Sequence, residues 1–558
     1  MRILSFLILG LIIIPNSYSQ SLNLNESFFE EKLRNEQLLG EFDSNISFSI
    51  RPIDLSYNSN YSFENYYKNY IINSNYIKLS LLPVNLKVNY NSHHPYNRNN
   101  GIMIPARGYQ KMISLGFFLK VGAISIQLKP EYVFAENKKY DGFWEGHYPL
   151  ILSKRYQMWN LIDTPEMFGS NKYNEFFSGQ SYVKLNLGKI SIGLSSENLW
   201  WGPSVRNGIM MSNQARGFLH YKIETNKPLK TFVGNFEFQL VTGRLEASEF
   251  IPSFSDFKYA DHGVYVPKKD DWRFFQGFVF TYNPKPINGL SIGFIRWVQA
   301  YSEVIKRNKD YLPAFDNLLR KNDKYGTGSD SIEGDRDQGA GVFLRWLWPD
   351  SNAEIYAELH YNDSKANFRD LLLDSDHSRA ATIGINKLFK NKLNKNYFQF
   401  NWEWTQLEQT SSRLLRNAGS WYMHYKVRHG YTNRGEVLGA GIGPGSNSHY
   451  FSFSKNNNFD KYGIAIEIVD NDNDFLYWAF EDAKDFRRYW KDYNLHLFAN
   501  KKFNKFYSSL RIIYSRSLNY QWALDESSGI GEGYEYYVPG IDVNNFHLDL
   551  NITIPLSF

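Results

Sequence analysis

From Phe546 to Phe558 the chain alternates without a slip. Phe546, Leu548, Leu550, Ile552, Ile554, Leu556 and Phe558 fall on one side, and His547, Asp549, Asn551, Thr553, Pro555 and Ser557 on the other. Successive side chains of a strand point to opposite faces, so one face is wholly apolar and the other polar apart from Pro555. Strands of soluble sandwiches are usually about half as long. An unbroken apolar face of this length suits a strand that crosses a bilayer, which takes about 9–11 residues.

The same period recurs upstream. Phe398, Phe400, Trp402 and Trp404 alternate with Gln399, Asn401 and Glu403. Ile355, Ala357, Leu359 and Tyr361 alternate with Tyr356, Glu358 and His360, and Phe236, Phe238 and Leu240 with Glu237 and Gln239. Charged residues set between apolar ones suit a wall that meets lipid outside and lines a polar lumen inside. Segments rich in Asn, Asp, Gly, Lys and Ser, such as Lys321 to Gln338 and Val469 to Asp474, read as loops. At roughly 30 residues per strand with its connection, the chain holds on the order of 16 to 20 strands. The expected class is all-β, an antiparallel transmembrane barrel over 46–558.

Composition fits that class better than a soluble globule. Mean hydropathy is only −0.47, yet the chain carries 40 Tyr, 42 Phe and 14 Trp. A barrel spends aromatics at both membrane interfaces and hides its apolar residues at alternate positions. A net charge of +5 on 62 basic and 57 acidic residues lacks the basic excess of a nucleic-acid binder. With 0 cysteines, neither disulfides nor thiolate metal sites are available.

The N-terminus reads as a secretory leader over 1–19. Arg2 precedes an apolar run from Ile3 to Ile14, then Pro15 and the small-residue site Ser17-Tyr18-Ser19 before Gln20. That run is too short to span a bilayer as a helix. The sequence has no cysteine for lipid attachment, and the expected mature start is Gln20. Between Leu24 and Gly40, Phe28, Phe29, Leu33, Leu38 and Leu39 recur at helical spacing among charged residues, with Gly40 as a stop. A periplasmic helical segment over 20–45 is expected ahead of the barrel.

The segment Gly188 to Thr231 reads GKISIGLSSENLWWGPSVRNGIMMSNQARGFLHYKIETNKPLKT. It resembles the Wzi capsule-assembly family of outer-membrane proteins. Similar matches are LLGEFDSNISFSIRPI at Leu38 to Ile53, GIMIPARGYQ at Gly101 to Gln110, DTPEMFG at Asp163 to Gly169 and GQSYVKLNLG at Gly179 to Gly188. DQGAGVFLRW at Asp337 to Trp346, DHSRAATIG at Asp376 to Gly384 and HGYTNRGEVLGAGIGPGSNS at His429 to Ser448 extend the resemblance over nearly the whole mature chain. It implies a barrel of about 18 strands. It further implies a lectin-like, non-enzymatic role at the cell outer membrane, holding capsular or other surface polysaccharide after Sec-type export. The implied surroundings are outer-membrane lipid and lipopolysaccharide. The aromatic C-terminus resembles the signal by which barrel-assembly machinery recognises its clients. The chain departs from the family pattern at Ser204, where a glycine is expected, and at Asn213-Gln214-Ala215-Arg216-Gly217-Phe218, where Asn-Asn-Ala-Pro-Gly-Phe is usual.

Sugar recognition needs aromatic faces for C–H surfaces and planar polar groups for hydroxyls. Glu197, Asn198, Trp200, Trp201, Arg206, Asn207 and Asn213 supply both within one short span and are the candidate polysaccharide-binding residues. The same residues also suit interface girdle and plug packing. Adjacent tryptophans on a strand face opposite ways, so at most one faces lipid.

Other constellations carry less. Gly441 to Tyr450 lacks the Lys-Ser/Thr ending of a phosphate loop and reads as a tight loop in or over the barrel. Asp470, Asp472, Asp474 and Glu481 mimic calcium spacing, but Phe475 stands where the turn needs glycine. No HExxH run occurs, and the Ser, His and Asp between Asp374 and Ser378 lack a nucleophile elbow. No cofactor, metal or catalytic residue is assigned. Lys184, Arg296, Arg345 and Arg511 are expected in the lumen, pairing with Glu237, Glu358 and Glu403 or contacting acidic sugars. The alternative function is a porin or transport channel, because a barrel this wide encloses water unless something fills it. An outer-membrane hydrolase ranks below both.

Overall fold

A computed structural model describes residues 20–54, 70–74, 76–253, 255–305, 312–315, 336–362, 368–390, 396–481, 487–525 and 539–556. The leader, most of the loop after Lys321 and the terminal Phe558 lie outside them. The described chain forms an 18-stranded antiparallel barrel.

The wall begins with β1 Ile77–Asn91, β2 Gly108–Val121, β3 Ile124–Leu128 with Glu131–Ala135, β4 Tyr173–Phe177 with Tyr182–Leu187, and β5 Ile190–Ser195. It continues through β6 His220–Thr225 with Leu229–Lys230, β7 Gly234–Leu245, β8 Arg273–Pro284, β9 Leu290–Tyr301 and β10 Arg336–Trp348. Next come β11 Ala353–Asn362, β12 Arg379–Lys390, β13 Asn396–Gln406 and β14 Asn447–Asn457. The last four are β15 Asp460–Asp470, β16 Lys491–Lys502, β17 Tyr507–Leu518 and β18 Val543–Ile554. β18 pairs back onto β1, with Leu550 opposite Val88, and leaves no open edge. Closure matters because an unpaired edge in hydrocarbon strands its backbone polar groups.

The alternation seen in the sequence is the wall itself. On β18, Phe546 is 41% exposed on the outside, while Asn545, His547 and Thr553 are buried inside. The polar inner face satisfies itself across strands: Asn85 of β1 donates to Thr553 Oγ1 at 3.0 Å. One end has short turns. Gly122 and Asn458 adopt positive φ in the two-residue links after β2 and β14, the conformation that matches hairpin twist. The other end carries the long connections and is the outer face by the usual barrel rule.

The expected N-terminal helix forms as α1, Ser27–Leu38. It is drawn into the short-turn end of the barrel and bonded to inward-facing side chains. Arg34 pairs with Glu354 of β11 at 2.7 Å, and Lys129 reaches Glu26 at 2.9 Å. Asn35 bonds Gln399 of β13, and Glu31 pairs with Lys461 of β15.

At the opposite end the long connections build an apolar core. Helices α2, Pro149–Trp159, and α3, Asn473–Phe480, pack there around Phe143, Trp159, Phe475 and Trp522. Phe475 lies 4.6 Å from Trp522, ring centre to ring centre. The acidic run after β15 is therefore structural: Asp472 caps α3 by accepting Phe475 N–H at 3.1 Å, and Asp474 accepts Gln409 N–H and Ser420 Oγ–H. Gly441 to Ser446 forms the tight loop expected there, and the remainder of that stretch opens β14.

Candidate functional site

The connection from Ser196 to Leu219 turns inward after β5 and runs through the lumen. Gly217 allows this, since a Cβ there would sit 2.1 Å from Ser196 O. Trp200 and Trp201 pair antiparallel with Ile50 and Arg51, making a two-stranded ribbon inside the barrel. Both tryptophans are therefore buried, at 4% and 0% exposure, and neither faces lipid. Trp201 Nε1 donates to Gln239 of β7 at 2.7 Å. Its ring lies on Gly277 of β8, where a Cβ would come within 2.8 Å. Trp200 faces the other way, under the Arg51 guanidinium at 4.3 Å.

The polar candidates hold this ribbon in place. Asn198 donates to Asn213 Oδ1 at 2.7 Å and Ala215 O at 2.9 Å, and accepts from Gly217 N–H and Gln180, closing the connection on itself. Asn213 donates onward to Asn25 just ahead of α1 and to Asn99 O. Glu197 pairs with Lys222 of β6 at 2.8 Å and accepts from Ser195 and Ser21.

Carboxylates from the wall bind the turn after the tryptophans. Glu403 of β13 accepts the backbone N–H groups of Val205, Arg206 and Asn207, the last at 2.7 Å, and Glu358 of β11 accepts that of Ser204. Successive N–H groups converging on one oxygen pair make a small anion nest. Arg206 itself pairs with Glu467 of β15 at 2.7 Å and donates to Tyr96 Oη, while Asn207 donates to Ser448. Glu237 likewise accepts Ser47 N–H. The expected ion pairs form elsewhere, Lys184 with Glu224 and Arg345 with Glu354, and Arg296 bonds Gln338. Glu237, Glu358 and Glu403 are instead taken up in holding the lumen contents.

The seven candidates thus lie together in the interior, and three of them line one open space there. Trp200, Arg206 and Asn213 line a lumen cavity of about 250 Å³ above α1, shared with Tyr450, Phe498 and Arg511. Sequence reasoning did not foresee the closed outer face. There Lys154 of α2 stands 4.7 Å over the Trp478 ring of α3, Arg413 stands 3.8 Å over Tyr477, and Tyr477 Oη lies 3.4 Å from Tyr489 Oη. Rings and basic groups on separate connections become neighbours only when the cap folds. Among the described residues no group of His, Cys, Asp or Glu could hold a metal ion.

The model of the capsule assembly protein Wzi family matches residues 94–462, most of the chain. Among solved structures, Wzi of Escherichia coli superposes with a TM-score of 0.58 at 11% identity, covering 96% of this chain and 99% of that one. It is described as an outer-membrane carbohydrate-binding β-barrel involved in group 1 capsule assembly. OprD of Pseudomonas aeruginosa reaches a TM-score of 0.37 at 11% identity, over 86% of this chain and 95% of its own. OccAB1 of Acinetobacter baumannii also reaches 0.37, at 7% identity over 85% and 96%. None of the curated proteins matches the chain by sequence. With its eighteen-stranded closed wall and a family match running from the loop after β1 into β15, the chain belongs to the Wzi capsule assembly family of outer-membrane proteins.

Proposed function

We propose that this protein retains capsular or other surface polysaccharide at the outer leaflet, without catalysis, by presenting a closed face of folded loops. The observation that carries the reading is the filled lumen. A channel needs a continuous aqueous path, whereas here an apolar core packs into one end of the lumen and α1 with its ion pairs occupies the other. The barrel wall acts as a rigid pedestal, and the aromatic and basic side chains of the cap face the medium where exported polymer arrives. The partly exposed pairs Lys154–Trp478 and Arg413–Tyr477 bring donors and aromatic surface together, the two chemistries that sugars need. The candidates from Glu197 to Asn213 support this face from below, fixing the connections that carry it.

The reading is tested by binding of the host's purified surface polysaccharide to the protein in detergent, alongside its conductance in a planar bilayer. Saturable binding with no steady current is the expected pair of results. A large steady current without binding would establish the channel alternative.

A further inference from the structure

A second cavity, of about 290 Å³, opens in the outer half of the wall where β5 ends and the chain turns inward. Its walls include Phe177, Asn198, Phe218 and three arginines, Arg216, Arg244 and Arg434. On the outer side of the barrel its rim carries Leu219, 57% exposed, and Arg244, whose side chain is 52% exposed.

Three arginines line this cavity; Glu175 and Glu436 act on Arg216 from nearby, Glu436 being bonded to Asn97 and Gln214. Arg244 pairs with Glu246 at 2.5 Å, and the lining Glu131 is occupied by Asn25 at 2.8 Å and by Gln180. Arg216 stacks 3.9 Å over the Phe177 ring and bonds Tyr173, but its Nη1 is buried without a hydrogen-bond partner. A buried guanidinium nitrogen left unpaired is costly, and an anion supplied from outside relieves it. Arg434 is exposed at the rim, and its like charge presses on Arg216. Aromatic rings and the Asn198 and Gly217 region beside these cations give the mixed lining that a sugar ring with an acidic substituent requires.

We propose that this wall cavity binds an anionic saccharide, its carboxylate or phosphate held between Arg216 and Arg434 and its ring against Phe177 and Phe218. The saccharide half of this assignment rests on the polysaccharide-retaining role proposed above. The anionic group could arrive on the retained polymer or on the headgroup of a neighbouring glycolipid, since the rim meets the outer leaflet.

The test uses the full-length protein in detergent and four probes: the host's surface polysaccharide before and after carboxyl reduction, and its lipopolysaccharide before and after dephosphorylation. A charge-assisted pair is worth about tenfold or more in affinity. The wild type is expected to bind one native preparation at least about tenfold tighter than its neutralised form. R434N, at an exposed position whose positive φ suits asparagine, and R216Q should each lower the affinity for the native form to that of its neutralised form. The preparation that shows the preference identifies the source. Equal binding of native and neutralised probes, or a preference that survives both substitutions, overturns the anion cavity alone. Failure to bind any of the four overturns the polysaccharide role with it.

Discussion

Glu403 accepts the backbone N–H of Asn207 at 2.7 Å, joining the middle of β13 to a connection 196 residues earlier in the chain. Val205 and Arg206 donate to the same carboxylate, so a single side chain of the wall fixes three consecutive residues beyond the tryptophan pair. This relationship converts a hollow barrel into a filled one, and it is open to direct perturbation. Glu403→Ala strands two buried donors, Asn207 N–H and the Tyr356 hydroxyl, and two partly buried ones, at a cost on the order of 3 kcal/mol or more. Glu403→Gln keeps one acceptor oxygen and should cost less. The temperature at which the folded form disappears on heat-modifiability gels should fall in the order wild type, E403Q, E403A. An unchanged transition for E403A would contradict this assignment.

The ion cluster that holds α1 gives a second prediction. Glu354 is shared between Arg34 at 2.7 Å and Arg345 at 2.5 Å, all deeply buried. Glu354→Gln leaves two buried guanidinium groups facing a neutral partner, a loss of about 3–5 kcal/mol. Its first consequence should be faster proteolytic cleavage within 20–54. Arg34→Met, Arg345→Met and Glu354→Met together remove all three buried charges and should cost less than E354Q alone, measured by the same cleavage rate.

Trp201 and Gly277 form a complementary pair, ring against missing side chain. Trp201→Ala should cost about 3–5 kcal/mol, because it opens a cavity and orphans Gln239. Gly277→Ala should cost about 1–3 kcal/mol by overpacking. In W201A the G277A penalty should shrink, since the two nearest atoms it strikes are gone and only Trp297 Cβ, at 3.1 Å, stays close. Equal penalties in both backgrounds, read on the same gels, would show that the two residues do not interact.

The outer cap should loosen as pH rises. Burial first, and then the neighbouring Asp472, push the Asp474 carboxyl up to about 7, and burial pushes Asp472 up to about 6 despite Arg155 beside it. Both values exceed those of the unfolded chain, so the native cap binds more protons between about pH 4 and 7. Stability is therefore full below that window and declines through it. Amide protection over 471–481, taken relative to the intrinsic exchange rate at each pH, should be higher at pH 5 than at pH 8. In Asp474→Asn the difference should shrink, and protection that is higher at pH 8 would reverse the sign.

The wall was readable from the sequence because a bilayer imposes a local rule, one side apolar and the other polar, that each strand obeys by itself. Phe546 to Ile554 and Tyr356 to His360 show it directly. α1 was legible as a helix for the same reason, its period being local. Its seat inside the barrel was not, because Arg34 finds Glu354 only after β10 and β11 have closed around it. Glu403 was legible as a lumen residue, yet its partners are backbone groups of Val205 to Asn207, which no side-chain pattern announces. Lys154, Trp478 and Arg413 come from three separate connections and form no motif at all. The run from Glu197 to Asn213 drew notice as a binding segment, and what the fold adds is that its polar groups are largely spent on the wall and on neighbouring connections.

The central claim is retention of polymer by a closed barrel, and the most direct measurement is the partition of surface polysaccharide between cells and medium after deletion of the gene. The account predicts that polymer is still made and exported but is shed, with cell-bound material restored by the wild-type gene. Normal cell-bound polysaccharide in the deletion strain would contradict it.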